Sequence, residues 1–134
     1  MSSIEFRRLP LPRGIDPILF DIYYIVENGR PYVMEKFRRL PDDKRDMVKD
    51  LMIRMATVDH LKSPRIRYNL RGYNYGEIKP IPHRFFFFQK AGSNYIFFDY
   101  RLKKSDSLSD KVYREINQKK EKYENEFERF MQGH

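Results

Sequence analysis

Apolar positions along the chain change period several times, and each change marks an element. The run Phe20-Asp21-Ile22-Tyr23-Tyr24-Ile25-Val26 is β-branched and aromatic and stops at Asn28-Gly29, which predicts a strand. Pro31 suits the first turn of a helix, where a missing N–H costs nothing, and Val33, Met34, Phe37 and Leu40 give that helix an apolar side. Pro41 breaks it, and Asp42-Asp43 can cap a second helix in which Met47, Val48, Leu51, Met52, Met55 and Val58 trace one face. Methionines at this spacing are read as core. Residues 31–61 thus form an αα-hairpin able to cover one side of a sheet.

After Ser63-Pro64 the period shortens. Arg67–Leu70, Tyr75–Lys79, Arg84–Gln89 and Asn94–Arg101 read as strands, with Ala91-Gly92-Ser93 as a tight turn between the last two. Four consecutive phenylalanines, Phe85 to Phe88, cannot all face one way, so both faces there must be covered, as in a central strand. Ser105–Ser109 supplies helix-capping side chains. Leu108, Val112, Ile116, Tyr123, Phe127 and Phe130 then recur at helical spacing and predict an amphipathic C-terminal helix of about 22 residues. Its length leaves its end free to dock on the N-terminal arm, a second copy or a partner. Residues 1–17, with Pro10, Pro12, Gly14 and Pro17, read as an extended arm preceding a single domain over 18–130. The pattern predicts an α+β fold: an N-terminal strand, an αα-hairpin packed on a small antiparallel sheet, and a long C-terminal helix.

Charge changes the picture because it is concentrated. Residues 62–104 hold ten Lys or Arg against Glu77 and Asp99, an excess equal to the whole net charge of +8, together with 11 of the 21 aromatic residues. Cations neutralise phosphates and rings stack on bases, so the segment points to a polyanion such as RNA. The lack of cysteine removes thiolate catalysis and Cys-zinc sites, and the three scattered histidines have no metal-ligand spacing. Glu77 and Asp99 alone are too few acids for a two-metal nuclease in the sheet region. No P-loop, GxGxxG or GxSxG motif is present. No metal or cofactor is therefore expected. A charged N-terminus and the absence of a long apolar run predict a cytoplasmic protein with no membrane segment.

Local strings then follow one another in a recognisable order: SPRI at 63–66, LRG at 70–72, EIK at 77–79, HRFFFF at 83–88, KK at 103–104 and SDKVY at 109–113. Their order and spacing, over roughly residues 20–125, resemble the RelE/ParE toxin superfamily, in particular RelE-type and phage-derived HigB-like mRNA interferases. The resemblance implies a type II toxin that cleaves messenger RNA, on the ribosome or free of it, and is restrained by a cognate antitoxin. It implies catalytic roles for Lys79, Arg84, Lys104 (or Lys103) and Tyr113. Glu77 stands where the RelE branch has a further lysine, and Asp99 where HigB-like relatives can carry a histidine.

Metal-free RNA cleavage uses the ribose 2′-OH as nucleophile on the adjacent phosphate, so a base, a charge-stabilising group and an acid are needed. The planar guanidinium of Arg84 suits the phosphoryl oxygens. Lys79, its pKa lowered by neighbouring cations, is the candidate base, and Tyr113 or Lys104 the candidate acid. Arg65, Arg67, Arg71, Tyr73, Tyr75, Arg101 and Lys103 are candidate RNA-binding residues. The rival reading is a non-catalytic module on the same scaffold that binds nucleic acid or inhibits another protein.

Overall fold

The computed structural model describes residues 3–90, 94–103 and 108–133. Six strands form one mixed sheet: β1 (Ile4–Arg8), β2 (Asp21–Glu27), β3 (Ile66–Arg67), β4 (Gly76–Ile78), β5 (His83–Lys90) and β6 (Asn94–Leu102), in the spatial order β1-β2-β6-β5-β4-β3. Helices α1 (Tyr32–Arg38) and α2 (Asp42–Thr57) connect β2 to β3, and α3 (Asp110–Gln132) closes the described chain. The architecture is α+β. Every strand pair is antiparallel except β2 with β6, which run parallel, so the sheet is mixed rather than purely antiparallel. The long connection needed to join β2 back to a parallel neighbour is supplied in part by the helical hairpin.

The four phenylalanines occupy β5, between β6 and β4, and all four are buried. Phe85 and Phe97 line a small apolar gap together with Val33, Met34, Phe37 and Met52 of the hairpin. Across the sheet, Phe98 meets Tyr123 of α3 at 6.3 Å between ring centroids, and Tyr75 bridges Phe86 and Phe98. A β-bulge sets this division. Phe86 lies opposite Asp99 but Phe87 lies opposite Phe97, so the bulge turns the successive residues Phe98 and Asp99 toward α3.

Helix α3 begins at Ser109, whose side chain accepts a hydrogen bond from the Val112 N–H at 3.3 Å. Tyr113, Ile116, Tyr123 and Phe127 are buried along it. The seven-residue gap in the apolar spacing, between Ile116 and Tyr123, is filled by Lys120, buried and paired with Glu124 at 3.2 Å.

Three elements depart from the sequence pattern. The first 17 residues contain a true strand, because Phe6 packs against Phe127 and Phe130 while β1 pairs with β2. The stretch 67–70 is not one strand: β3 is two residues long and is followed by a tight loop with left-handed backbone at Asn69 and Arg71. Val58, on the expected core face of α2, is 43% exposed because the helix ends at Thr57 and the chain turns extended there. The expected turn Ala91-Gly92-Ser93 lies outside the described residues.

Candidate RNA interface

Strand register fixes which charges share a face. Arg67 lies opposite Glu77, Glu77 opposite Phe86 and Phe86 opposite Asp99, while Arg84 lies opposite Arg101. Since Asp99 is turned toward α3, this whole band lies on the α3 side. The band interleaves signs. The Arg84 guanidinium donates to Glu77 at 3.2 Å, and both residues are buried. Arg101 donates to Asp99 at 3.3 Å, and the Lys119 ammonium reaches the same carboxylate at 3.4 Å. Burial pushes the Glu77 carboxyl above its usual range, and Arg84, Arg67 and Lys79 pull it part of the way back. The two acids of the basic window are thus counterions for Arg84 and Arg101, a pairing that sequence reasoning missed because it depends on register.

Of the candidate catalytic residues, Arg84 faces Glu77 in this conformation. Lys79 is buried one residue beyond β4 and lines a cavity of about 380 Å³ with Met47, Asp50, Leu51, Arg54 and Arg65. Lys104 lies outside the described residues. Lys103 is exposed and held through its backbone N–H, which donates to Pro82 O at 2.8 Å. Tyr113 is buried; its hydroxyl accepts from the Leu108 N–H at 3.3 Å and its carbonyl accepts from the Tyr75 hydroxyl at 2.8 Å. His83, beside Arg84 in sequence, lies within 2.7 Å of the Tyr100 hydroxyl, and burial together with Lys44 lowers its pKa.

Four aromatic and cationic side chains come together elsewhere. Arg71, Tyr73, Tyr113 and Arg114 line a hollow of about 280 Å³ with Asp110. The Arg71 guanidinium sits 5.2 Å from the centre of the Tyr113 ring and 3.7 Å from the Asp110 carboxylate. Tyr73 stacks on Tyr75 at 5.8 Å with the rings 14° apart. Burial raises the Tyr75 hydroxyl pKa, and Tyr113, Tyr73, Glu77 and Asp99 add to the effect. Arg65 and Arg67 are exposed on neighbouring chain. Arg114 carried no sequence signal, being one more cation on a helix.

The loop holding Arg71 and Tyr73 is set by backbone bonds: Leu70 N–H to Tyr75 O at 3.1 Å, Gly72 N–H to Asn69 O at 3.1 Å, and Tyr73 N–H to Leu70 O at 2.9 Å. Arg71 adopts φ 51°, a left-handed backbone uncommon outside glycine and held here by these loop bonds.

Among the described residues no helix is long and apolar enough to cross a membrane, and no group of three His, Cys, Asp or Glu is placed to hold a metal ion. No protein-family model, curated protein or solved structure matches this chain.

Proposed function

We propose that this chain is a RelE/HigB-like toxin, an endoribonuclease that grips messenger RNA at the hollow of Arg71, Tyr73, Tyr113 and Arg114 and cleaves it without a metal by 2′-OH attack. The observation that carries the reading is the hollow itself, where two guanidinium groups and two phenol rings meet at the start of α3. Arg71 and Arg114 are exposed and Tyr73 is half-buried, while Tyr113 forms the buried wall behind Arg71. Exposed cations beside a reachable ring bind single-stranded nucleic acid with little demand for sequence. The topology supports the same reading: a helical hairpin between β2 and the antiparallel strands, with β2 returning parallel to β6, is compatible with the resemblance read from the motifs.

In this mechanism a bound phosphate competes with Glu77 for Arg84, and the freed carboxylate and Lys79 are the candidate proton-handling groups. A cognate antitoxin would hold the protein silent. The burial of Arg84 against Glu77 favours a second reading, a non-catalytic RNA-binding module on the same scaffold.

The test is cleavage of messenger RNA in EDTA, with and without ribosomes, by the wild type and by Arg84→Lys, which keeps the charge but loses the planar fork. The nuclease reading expects fragments ending in 2′,3′-cyclic phosphate from the wild type and strongly reduced cleavage by the variant. Salt-sensitive RNA binding with no cleavage under either condition would leave the binding module.

A further inference from the structure

Residues of the same loop, Asn69 and Asn74, also line a second hollow. Its volume is about 400 Å³, and Tyr68, Asn69, Asn74, Gln89, Lys90 and Glu124 contribute to its lining. That size lies in the range of small-ligand clefts, roughly 300–1,000 Å³. Three features set it apart from the cationic hollow. Its one lysine is already balanced: Lys90 lies 3.8 Å from Glu124 and also pairs with Glu128, while Glu124 meets Lys120. Such a site has no excess cation for a phosphate.

Its aromatic wall is rigid. The Tyr68 hydroxyl donates to Leu61 O at 2.9 Å, and its ring meets Phe87 edge-on at 5.8 Å between centroids, yet the residue stays 38% exposed. A partly exposed ring anchored at its hydroxyl and packed on Phe87 offers a planar group a surface to stack on. Beside the Lys90–Glu124 pair the hollow carries neutral amides on Asn69, Asn74 and Gln89, all exposed. An amide offers a donor and an acceptor side by side, the pattern that pairs with a base edge. Gly76 in the lining of the hollow lets β3 and the Phe87 ring pack closely, since a Cβ there would stand 2.4 Å from Arg67 O and 2.7 Å from Phe87 Cζ.

One ring pair relates the two hollows. Tyr73 lines the cationic hollow, Tyr75 lines the amide hollow, and their rings are parallel at 5.8 Å.

We infer that the amide-lined hollow is a nucleobase subsite, in which one unstacked base of the RNA strand stacks on Tyr68 and is read along its hydrogen-bonding edge by Asn74 and Gln89. The inference rests on the RNA-binding reading above and adds to it the source of base preference. A neutral, amide-bearing subsite contributes discrimination and little of the salt-dependent affinity, which belongs to the arginines.

The experiment measures binding of hexaribonucleotides A6, C6, U6 and a G-containing hexamer by fluorescence anisotropy, for the full-length wild type and for Asn74→Ala/Gln89→Ala. The wild type should spread the four affinities by roughly five-fold or more, as expected for one base-edge contact. The double variant should compress that spread to within about two-fold while binding the weakest hexamer as the wild type does. A variant that keeps the full spread, or that loses all four affinities equally, overturns the subsite. Equal wild-type affinities for all four hexamers overturn it too, and leave the RNA reading standing. A wild type that binds none of them overturns both.

Discussion

Arg84 and Glu77 face each other across β4 and β5 at 3.2 Å, with 2% and 0% of their side chains exposed. A charge at this depth is tolerable only with its counter-charge, because desolvation of either ion alone costs several kcal/mol. Removing one partner should therefore act chiefly on folding. Arg84→Ala is expected to lower the unfolding free energy by about 3–5 kcal/mol, while Arg84→Met combined with Glu77→Leu recovers most of the loss. Urea titrations of the two variants check this. A fully stable Arg84→Ala protein would mean that Glu77 finds another cation.

Arg71 and Tyr73 are less deeply placed: Arg71 is exposed, and Tyr73 is half-buried at the margin of the core. Tyr73→Ala should weaken binding to single-stranded RNA by roughly 5- to 100-fold, the value of one stacked base. Arg71→Ala should weaken it as well and should reduce the slope of log K against log salt by about 0.7 if it neutralises one phosphate. Anisotropy between 50 and 300 mM salt separates the two. An unchanged slope for Arg71→Ala would remove this arginine from the phosphate contacts.

The elements whose evidence is local were legible in the sequence. The Phe85–Phe88 run demanded cover on both faces and lies in a central strand. The spacing from Val48 to Met55 marked the buried face of α2, and that from Leu108 to Phe130 traced α3 to within a residue or two. What escaped depends on partners distant in sequence. Ile4 to Arg8 reads as part of a proline-rich arm until β2 and Phe127 are beside it. The bulge at Phe98 breaks the alternation that would have placed Asp99, and so hides the Arg101 and Lys119 contacts. In the same way Tyr73 and Tyr113 were legible as candidates, but the meeting of Arg71 with the Tyr113 ring follows from a left-handed turn that no periodicity encodes.

Glu27 joins β2 to α3, accepting from the Tyr123 hydroxyl at 2.9 Å and from the Lys122 ammonium at 3.0 Å. Burial acts to raise its pKa, but the bonds from Lys122 and Tyr123 and the charges of Lys122 and Lys119 outweigh it, and the net shift is downward. A carboxyl whose folded pKa lies below its unfolded value gives stability that is present above the unfolded value, ~4.3, and is lost as pH falls through the folded one. Glu27→Gln should therefore be less stable than the wild type at pH 7, with the gap closing between about pH 5 and pH 3. Urea midpoints for both proteins across that interval give the answer. A gap that stays constant to pH 3 would mean that the ionised carboxylate adds nothing at this joint.

Lys120 is the one buried cation on the apolar side of α3 among the described residues, at the position between Ile116 and Tyr123 where the helical spacing calls for a hydrophobic group. Its partner Glu124 keeps Lys90 if Lys120 is lost, so no carboxylate is stranded by the change. Methionine has a similar length and flexibility without the desolvation cost of an ammonium. Lys120→Met should thus unfold at the same or a higher urea concentration, with a gain of up to ~1 kcal/mol. The helix would then carry an unbroken apolar stripe from Ile116 to Phe127. A loss of more than about 1 kcal/mol would show that the Lys120–Glu124 bond outweighs desolvation and holds α3 on the sheet.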